Sequence, residues 1–215
     1  MKVCDFMSKN VIYVSPDTSL TDAKALMLKE KINKLPVVDK SKKLVGIITK
    51  NDLQKAAPSS ASTLDMYELG YLLSKLTVEK IMIKNVRTVD FDEVIEEAAR
   101  TMAVEKIGCL PVMKDGILSG IITETDLFNA FISMFGATQP GVRAVIEVAE
   151  KPGELAKIAA AVAAKNGNIV SLVTTDGSDV SKRKITLKIG NLSRETVEEI
   201  IRQENVKLLD ICEKK

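Results

Sequence analysis

Residues Ile32-Asn33-Lys34-Leu35-Pro36-Val37-Val38 return further along the chain as Ile107-Gly108-Cys109-Leu110-Pro111-Val112-Met113, an offset of 75 residues between Pro36 and Pro111. The same offset relates Met7-Ser8-Lys9-Asn10-Val11 to Met82-Ile83-Lys84-Asn85-Val86, and Glu30-Lys31 to Glu105-Lys106. One residue is then lost. At an offset of 74, Leu44-Val45-Gly46-Ile47-Ile48-Thr49-Lys50-Asn51-Asp52-Leu53 matches Leu118-Ser119-Gly120-Ile121-Ile122-Thr123-Glu124-Thr125-Asp126-Leu127. Self-similarity this dense at one period is the mark of a repeated supersecondary unit.

Each copy reads β-α-β-β-α. Residues 11–14 are a short β-branched run that predicts a strand. Ser15-Pro16-Asp17-Thr18-Ser19 then supplies turn and cap chemistry for a helix predicted from Leu20 to Lys31, where Leu20, Ala23, Leu26 and Met27 recur at helical spacing. Leu35 to Val38 and Leu44 to Thr49 are near-continuous apolar runs, the pattern of strands covered on both faces. Asp39 to Lys43 joins them in the first copy, and Lys114-Asp115-Gly116 in the second, where Asp-Gly is a strong hairpin signal. Between the copies lie a small-residue linker, Ala56 to Ser62, and an amphipathic stretch, Thr63 to Leu76, expected to form a connecting helix.

Composition narrows the function. The chain has 215 residues, 46% hydrophobic and 28% charged, which predicts one or two domains of an ordered globular protein. No apolar run approaches the roughly 18 residues of a membrane span, and no basic-then-apolar leader opens the sequence. Cys4, Cys109 and Cys212 are too scattered for a disulfide frame or a metal knuckle, so a reduced, cytoplasmic protein without a metal site or membrane association is expected. All three thiols are expected to be buried and inert, with a redox role for Cys109 as the alternative. Histidine is absent, which excludes imidazole acid–base chemistry and His-activated nucleophiles. Net charge is +2, with 18 basic and 18 acidic residues up to position 140 and 13 and 11 after it. Without a concentrated basic face, and with 4% aromatics, nucleic acid is not an expected partner. The runs Lys40-Ser41-Lys42-Lys43 and Lys182-Arg183-Lys184 are expected to be solvated turns.

The chemistry concentrates where Gly46-Ile47-Ile48-Thr49-Lys50-Asn51-Asp52, and its repeat Gly120 to Asp126, pass from buried strand to helix. Glycine permits close approach, a threonine hydroxyl there can donate to a phosphate oxygen, and a carboxylate three residues on can accept from ribose hydroxyls. Thr-x-x-Asp at a helix start is equally a capping box, which needs no ligand.

The paired Leu-Pro-Val strands and Gly-h-h-Thr-x-x-Asp junctions together resemble a tandem pair of cystathionine-β-synthase (CBS) domains, a Bateman module, over residues 1–58 and 77–135 with a linker helix at 59–76. The resemblance implies clefts for an adenosine ligand such as AMP, ADP, ATP, S-adenosylmethionine or NADH. In one cleft it implies Thr49 at phosphate and Asp52 at ribose, with Val11, Ile12, Lys34, Leu35 and Pro36 around adenine. In the other it implies Thr123 and Asp126 in those roles, with Val86, Arg87, Cys109, Leu110 and Pro111 around the base. Lys34 and Lys50 become Cys109 and Glu124 in the second copy, so the first cleft is expected to tolerate more phosphate.

After Gly136 to Gly141 the pattern becomes βαββαβ, with strands at 142–148, 168–175, 184–189 and 206–212 and a final helix, Arg194 to Gln203, capped by Ser193. That order is ferredoxin-like. A left-handed stop at Gly167 is expected after the alanine-rich helix. Pro152-Gly153-Glu154-Leu155 leading into that helix, with Gly167-Asn168-Ile169 after it, resembles an ACT domain over residues 141–213, with Glu150 where the family has aspartate. The resemblance implies side-by-side association and an amino-acid site using Pro152, Gly153, Glu154, Leu155, Asn168 and Ile169. The whole layout is similar to that of AcuB-like acetoin-utilisation proteins. The expected protein is a non-enzymatic, homodimeric α/β (α+β) ligand sensor acting on a target protein. The alternative is a ligand-free scaffold for oligomerisation or partner binding.

Overall fold

The computed structural model describes residues 1–56 and 75–214. They fall into two compact units, Met1–Leu127 and Phe128–Lys215. The expected linker and connecting helix lie, apart from Ala56, Lys75 and Leu76, outside the described residues. In chain order the first unit contains α1 (Val3–Phe6), α2 (Leu20–Lys29), β1 (Lys34–Val38), β2 (Leu44–Thr49), α3 (Lys50–Ala56), β3 (Val89–Asp90), α4 (Ile95–Glu105), β4 (Cys109–Lys114) and β5 (Ile117–Thr123), and α5 (Glu124–Met134) spans the boundary.

Local chemistry accounts for these elements. Ser19 caps α2, its Oγ accepting from the Asp22 amide at 3.0 Å, and Leu20, Ala23 and Met27 turn inward. The helix ends two residues before the expected Lys31, because Lys31 takes a left-handed φ of 54°. β1 and β2 pair antiparallel with Leu35 opposite Ile48, and β4 and β5 repeat that register with Leu110 opposite Ile122. Asp115 and Gly116 adopt φ of 51° and 77°, the two left-handed positions of the hairpin their sequence announces. Lys40 to Lys43 is an exposed turn, as expected.

Residues 11–13 do not form the expected strand. Only Val14 joins a ladder, donating to Pro36 O at 3.1 Å and accepting from Val38 N at 2.9 Å. β1 offers this segment a single bridge partner, Val37, so pairing begins and ends there.

The sequence copies exchange their entry segments. Residues 1–10 lie against the second copy: Val3 N donates to Glu93 O at 2.9 Å, Cys4 N to Phe91 O at 3.2 Å, and Ser8 bridges Ile121. Residues 76–85 reciprocate on the first, with Val78 N donating to Thr18 O at 2.9 Å and Ile83 bridging Ile47. Val78 enters the first copy's core beside Leu35, Val37 and Ile48. The repeated glycines follow from this exchange. A Cβ on Gly46 would overlap the Met82 side chain, and one on Gly120 the Met7 side chain. Close approach is needed there, as expected, but by a methionine of the other copy.

The second unit continues with β6 (Gly141–Ala149), α6 (Glu154–Ala164), β7 (Asn168–Asp176), β8 (Lys182–Gly190), α7 (Arg194–Gln203) and β9 (Lys207–Lys214). Its antiparallel sheet runs β7-β8-β6-β9, the ferredoxin-like order. Val142, Ala144, Ile146 and Val148 alternate along β6 into a core closed by Ile158 and Val162 of α6 and Val197, Ile200 and Ile201 of α7. Three expectations are corrected here. The left-handed residue after α6 is Asn166, φ 61°, and Gly167 is required because a Cβ would strike Leu192 and Val162. Lys182-Arg183-Lys184 is part of β8, with Arg183 held by Glu150 and Asp176 and Lys182 near Glu147 and Asp179. Cys212 is exposed on the edge strand β9 and Cys4 is half-buried; Cys109 alone is buried.

Candidate functional site

Both strand-to-helix junctions are closed capping boxes. Asp52 Oδ2 accepts from Thr49 N at 2.9 Å and from Thr49 Oγ1 at 2.6 Å, while Asp52 N donates back to Thr49 Oγ1 at 3.3 Å. Asp126 and Thr123 repeat this at 2.8, 2.7 and 3.4 Å. The next amides are also used: Lys50 N donates to Asn33 O at 2.8 Å and Glu124 N to Gly108 O at 3.3 Å. The junction threonines therefore stabilise the ligand-free protein. Thr49→Ala and Thr123→Ala should each cost about 1 kcal/mol in urea unfolding without ligand, and Thr→Ser much less; equal effects of Ala and Ser would remove the capping role.

Two cavities adjoin these junctions. One of about 660 Å³ is lined by Thr49, Lys50 and Asn51 of the first copy and by Asn85, Val86 and Arg87 of the second. The other, about 480 Å³, brings Thr123, Glu124 and Asp126 together with Ser8, Asn10 and Ile12. Each cavity thus takes its helix start from one copy and its entry segment from the other. The expected grouping by copy is corrected accordingly, and the exchange of entry segments is the cause.

The individual residues separate as follows. Thr49, Val86, Arg87 and Cys109 share the larger cavity; Ile12, Pro36, Thr123 and Asp126 share the smaller. Lys34 lines both, its Nζ donating to Gly108 O. Asp52 lines neither, and Val11 faces a shallow depression beside Ile117 and Leu118 instead. Leu35 and Leu110 are fully buried core residues, and Pro111, also buried, pairs with Ile121 without reaching either cavity. Leu35 and Leu110, at equivalent positions of β1 and β4, miss the clefts because that face of each strand points into the hydrophobic layer. Sequence reasoning missed Lys31, in the smaller cavity, and Lys106, in the larger. Their signal was the repeated Glu-Lys pair.

Electrostatics differ between the cavities. Lys34, Lys50, Arg87 and Lys106 face the larger against one carboxylate, Glu105, which holds Arg87 Nε at 2.6 Å. In the smaller, Lys31 and Lys34 are matched by Glu124 and Asp126. Burial pushes the Cys109 thiol pKa up, opposed by Lys34, so an inert thiol fits better than a redox one. Among the described residues no cluster of three metal-ligating side chains exists, and no helix is long and apolar enough to cross a membrane.

In the second unit Gly153 takes φ 92° in the turn before α6, where space is open, so glycine is there for its conformation. Glu154 lines a cavity of about 450 Å³ with Lys151, Lys157, Glu147 and Lys207. Its carboxyl sits below the usual carboxylate range, chiefly through hydrogen bonding to Lys157. Ser178 does the same for buried Glu147, chiefly through its side chain and further through its amide, which donates at 3.0 Å. Pro152, Gly153, Leu155, Asn168 and Ile169 lie outside this cavity. Asn168 and Ile169 pair with Gly190 and Ile189, at the opposite end of the sheet from Ala149 and the Pro152 turn. Seven strand positions, about 23 Å, divide them, so one chain does not bring the expected amino-acid site together.

Two repeat copies that exchange their entry segments, followed by a ferredoxin-like unit, define a tandem-repeat architecture with a second, different α+β unit. The chain belongs to the CBS domain family: the CBS domain model matches residues 3–59 and 78–133, and a TTHA0829-like ACT domain model matches 140–212. A Vibrio cholerae protein described as an acetoin utilization protein (AcuB) is 32% identical, with a TM-score of 0.55 over 65% of this chain and 96% of that one. The CBS domain pair of protein MJ0100, in complex with 5′-methylthioadenosine and S-adenosyl-L-methionine, is 33% identical, TM-score 0.52, over 65% of this chain and 98% of its own. CBSX2 in complex with AMP is 34% identical, TM-score 0.50, over 61% and 96%. The L-aspartate semialdehyde sulfurtransferase of Methanocaldococcus jannaschii is 35% identical over 130 residues, 60% of this chain, which spans 23% of that enzyme's length.

Proposed function

We propose that the chain is a non-enzymatic regulatory sensor holding an adenosine ligand, of the AMP, ADP, ATP, S-adenosylmethionine or NADH class, in the two cavities of its CBS pair. The carrying observation is that equivalent repeat positions build two cavities of about 660 and 480 Å³, within the roughly 300–1,000 Å³ of small-molecule sites. Thr49 and Thr123 offer hydroxyls at them, and Asp126 offers a carboxylate whose Oδ1 makes no hydrogen bond among the described residues. Relatives bound to AMP, to methylthioadenosine and to S-adenosylmethionine support the reading. A ligand biases such a protein only by binding two arrangements unequally, typically by about 1–3 kcal/mol. Amino-acid sensing by the ACT-like unit, homodimerisation through both units, action on a target protein, a cytoplasmic location for the chain itself and a setting in acetoin utilisation complete the proposal.

One observation favours the scaffold alternative: the capping boxes are satisfied without ligand. Thermal unfolding with AMP, ADP, ATP, S-adenosylmethionine and NADH separates the two. A ligand at about 100 times its Kd adds about 2.7 kcal/mol. One adenosine compound should raise the midpoint, and the increment should shrink in Thr49→Ala/Thr123→Ala measured against its own ligand-free baseline. No shift with any compound would leave the scaffold.

A further inference from the structure

Seven non-glycine residues have positive φ among the described residues, and four of them are Asn or Asp, the types that tolerate this region best. Two of the three lysines, Lys31 at φ 54° and Lys106 at φ 55°, occupy the same position of the repeat. Each follows a helix at the point where the chain turns back, with Ile32 N donating to Met27 O and Ile107 N to Met102 O, both at 3.0 Å. Glycine, or failing that asparagine, is the usual residue of such a stop because a Cβ is strained there. Both copies carry lysine instead.

The two lysines also share a setting. Lys31 lines the smaller cavity and Lys106 the larger. Both are exposed, and neither enters an ion pair among the described residues. A strained residue repeated at two cavity mouths, with its charge uncompensated, calls for a role outside the apo fold. We infer that Lys31 and Lys106 are phosphate-binding residues, one for each cleft, and that the ligand they select is a phosphorylated adenosine rather than an uncharged one. This rests on the adenosine reading of the clefts and names its ligand class. The left-handed turn fixes where each stem leaves the backbone, at the rim of the cavity it lines, within reach of a phosphate held there. In the smaller cavity Lys31 is decisive: without it Lys34 alone would face Glu124 and Asp126.

The test uses the full chain, AMP and adenosine, with Lys31→Asn, Lys106→Asn and the double variant. Asparagine keeps a side chain that accepts the left-handed turn and removes the charge. The ligand-free unfolding midpoint should be equal or higher in each variant. AMP affinity by calorimetry should fall about tenfold in one binding event per substitution, equivalent to about 1.4 kcal/mol, while adenosine affinity stays the same. Unchanged AMP affinity, or an equal fall for adenosine, overturns the phosphate role while leaving the clefts as adenosine sites. A midpoint several degrees lower makes the lysines structural and overturns it too. If the wild-type chain binds neither AMP nor adenosine, the reading of the clefts falls with it.

Discussion

Leu35→Ala is expected to lower the unfolding free energy by about 2–5 kcal/mol, a large share of the roughly 5–15 kcal/mol that holds a domain together. Leu35 has no exposed surface and packs in one cluster with Val14, Leu20, Met27, Val37, Ile48 and Val78. Val78 arrives from the exchanged entry segment of the second copy, so the void left by truncation touches both copies. The surroundings can collapse only partly, since β1 and β2 are tied by their antiparallel ladder and closely packed interiors relax little. Urea unfolding of the ligand-free protein measures the loss. The result discriminates between two positions for this side chain. A residue flanking adenine in an open cleft would change ligand affinity and leave the ligand-free midpoint nearly untouched, and that outcome would contradict the buried placement.

The parts of this molecule legible in sequence are those decided by local chemistry or by pattern. Leu44–Thr49 is a strand and Arg194–Gln203 a helix, with the bounds that the apolar run and Ser193 announce. The Asp-Gly hairpin and the ferredoxin-like order followed in the same way. What stayed hidden depends on which copy a segment touches. Matching Met7 to Met82 says that the two occupy equivalent positions, but the match is the same whether each packs on its own copy or on the other. The cost of closing the intervening loop changes only logarithmically with its length, so it gives no strong preference. The cavities inherit that ambiguity, which is why Ile12 and Pro36 join Thr123 rather than Thr49. Backbone strain is equally invisible in a string of letters. Nothing in Glu30-Lys31 or Glu105-Lys106 distinguishes a left-handed lysine from an ordinary helical one, although the repetition itself marks the position. Lys182-Arg183-Lys184 reads as a solvated turn until the strand opposite supplies Glu147 and Glu150.

Lys34→Met is expected to weaken both adenosine-binding events at once, each by roughly 10–100-fold for a phosphorylated ligand, the loss that follows when a charge-assisted hydrogen bond worth about 1.5–3 kcal/mol disappears. Lys34 is half-buried and lines both cavities, with its Nζ on the Gly108 carbonyl between them. Gly108 makes room for this: a Cβ there would lie 2.7 Å from Lys34 Nζ and 2.6 Å from Glu124 Oε2. Its repeat partner is Cys109, which carries no charge to take over. The smaller cavity should suffer more, because it keeps only Lys31 against Glu124 and Asp126, whereas Lys50, Arg87 and Lys106 remain at the larger. Rising ionic strength should narrow the difference between wild type and variant, since the cavities are open to salt and the Debye length is about 8 Å at 0.15 M. Methionine keeps the length and apolar character of the stem, so the ligand-free unfolding midpoint controls for packing. Calorimetric titration of AMP into both proteins decides the matter. If one event weakens and the other is unchanged, Lys34 serves a single cleft, and its place between the two cavities does not make it a shared ligand residue.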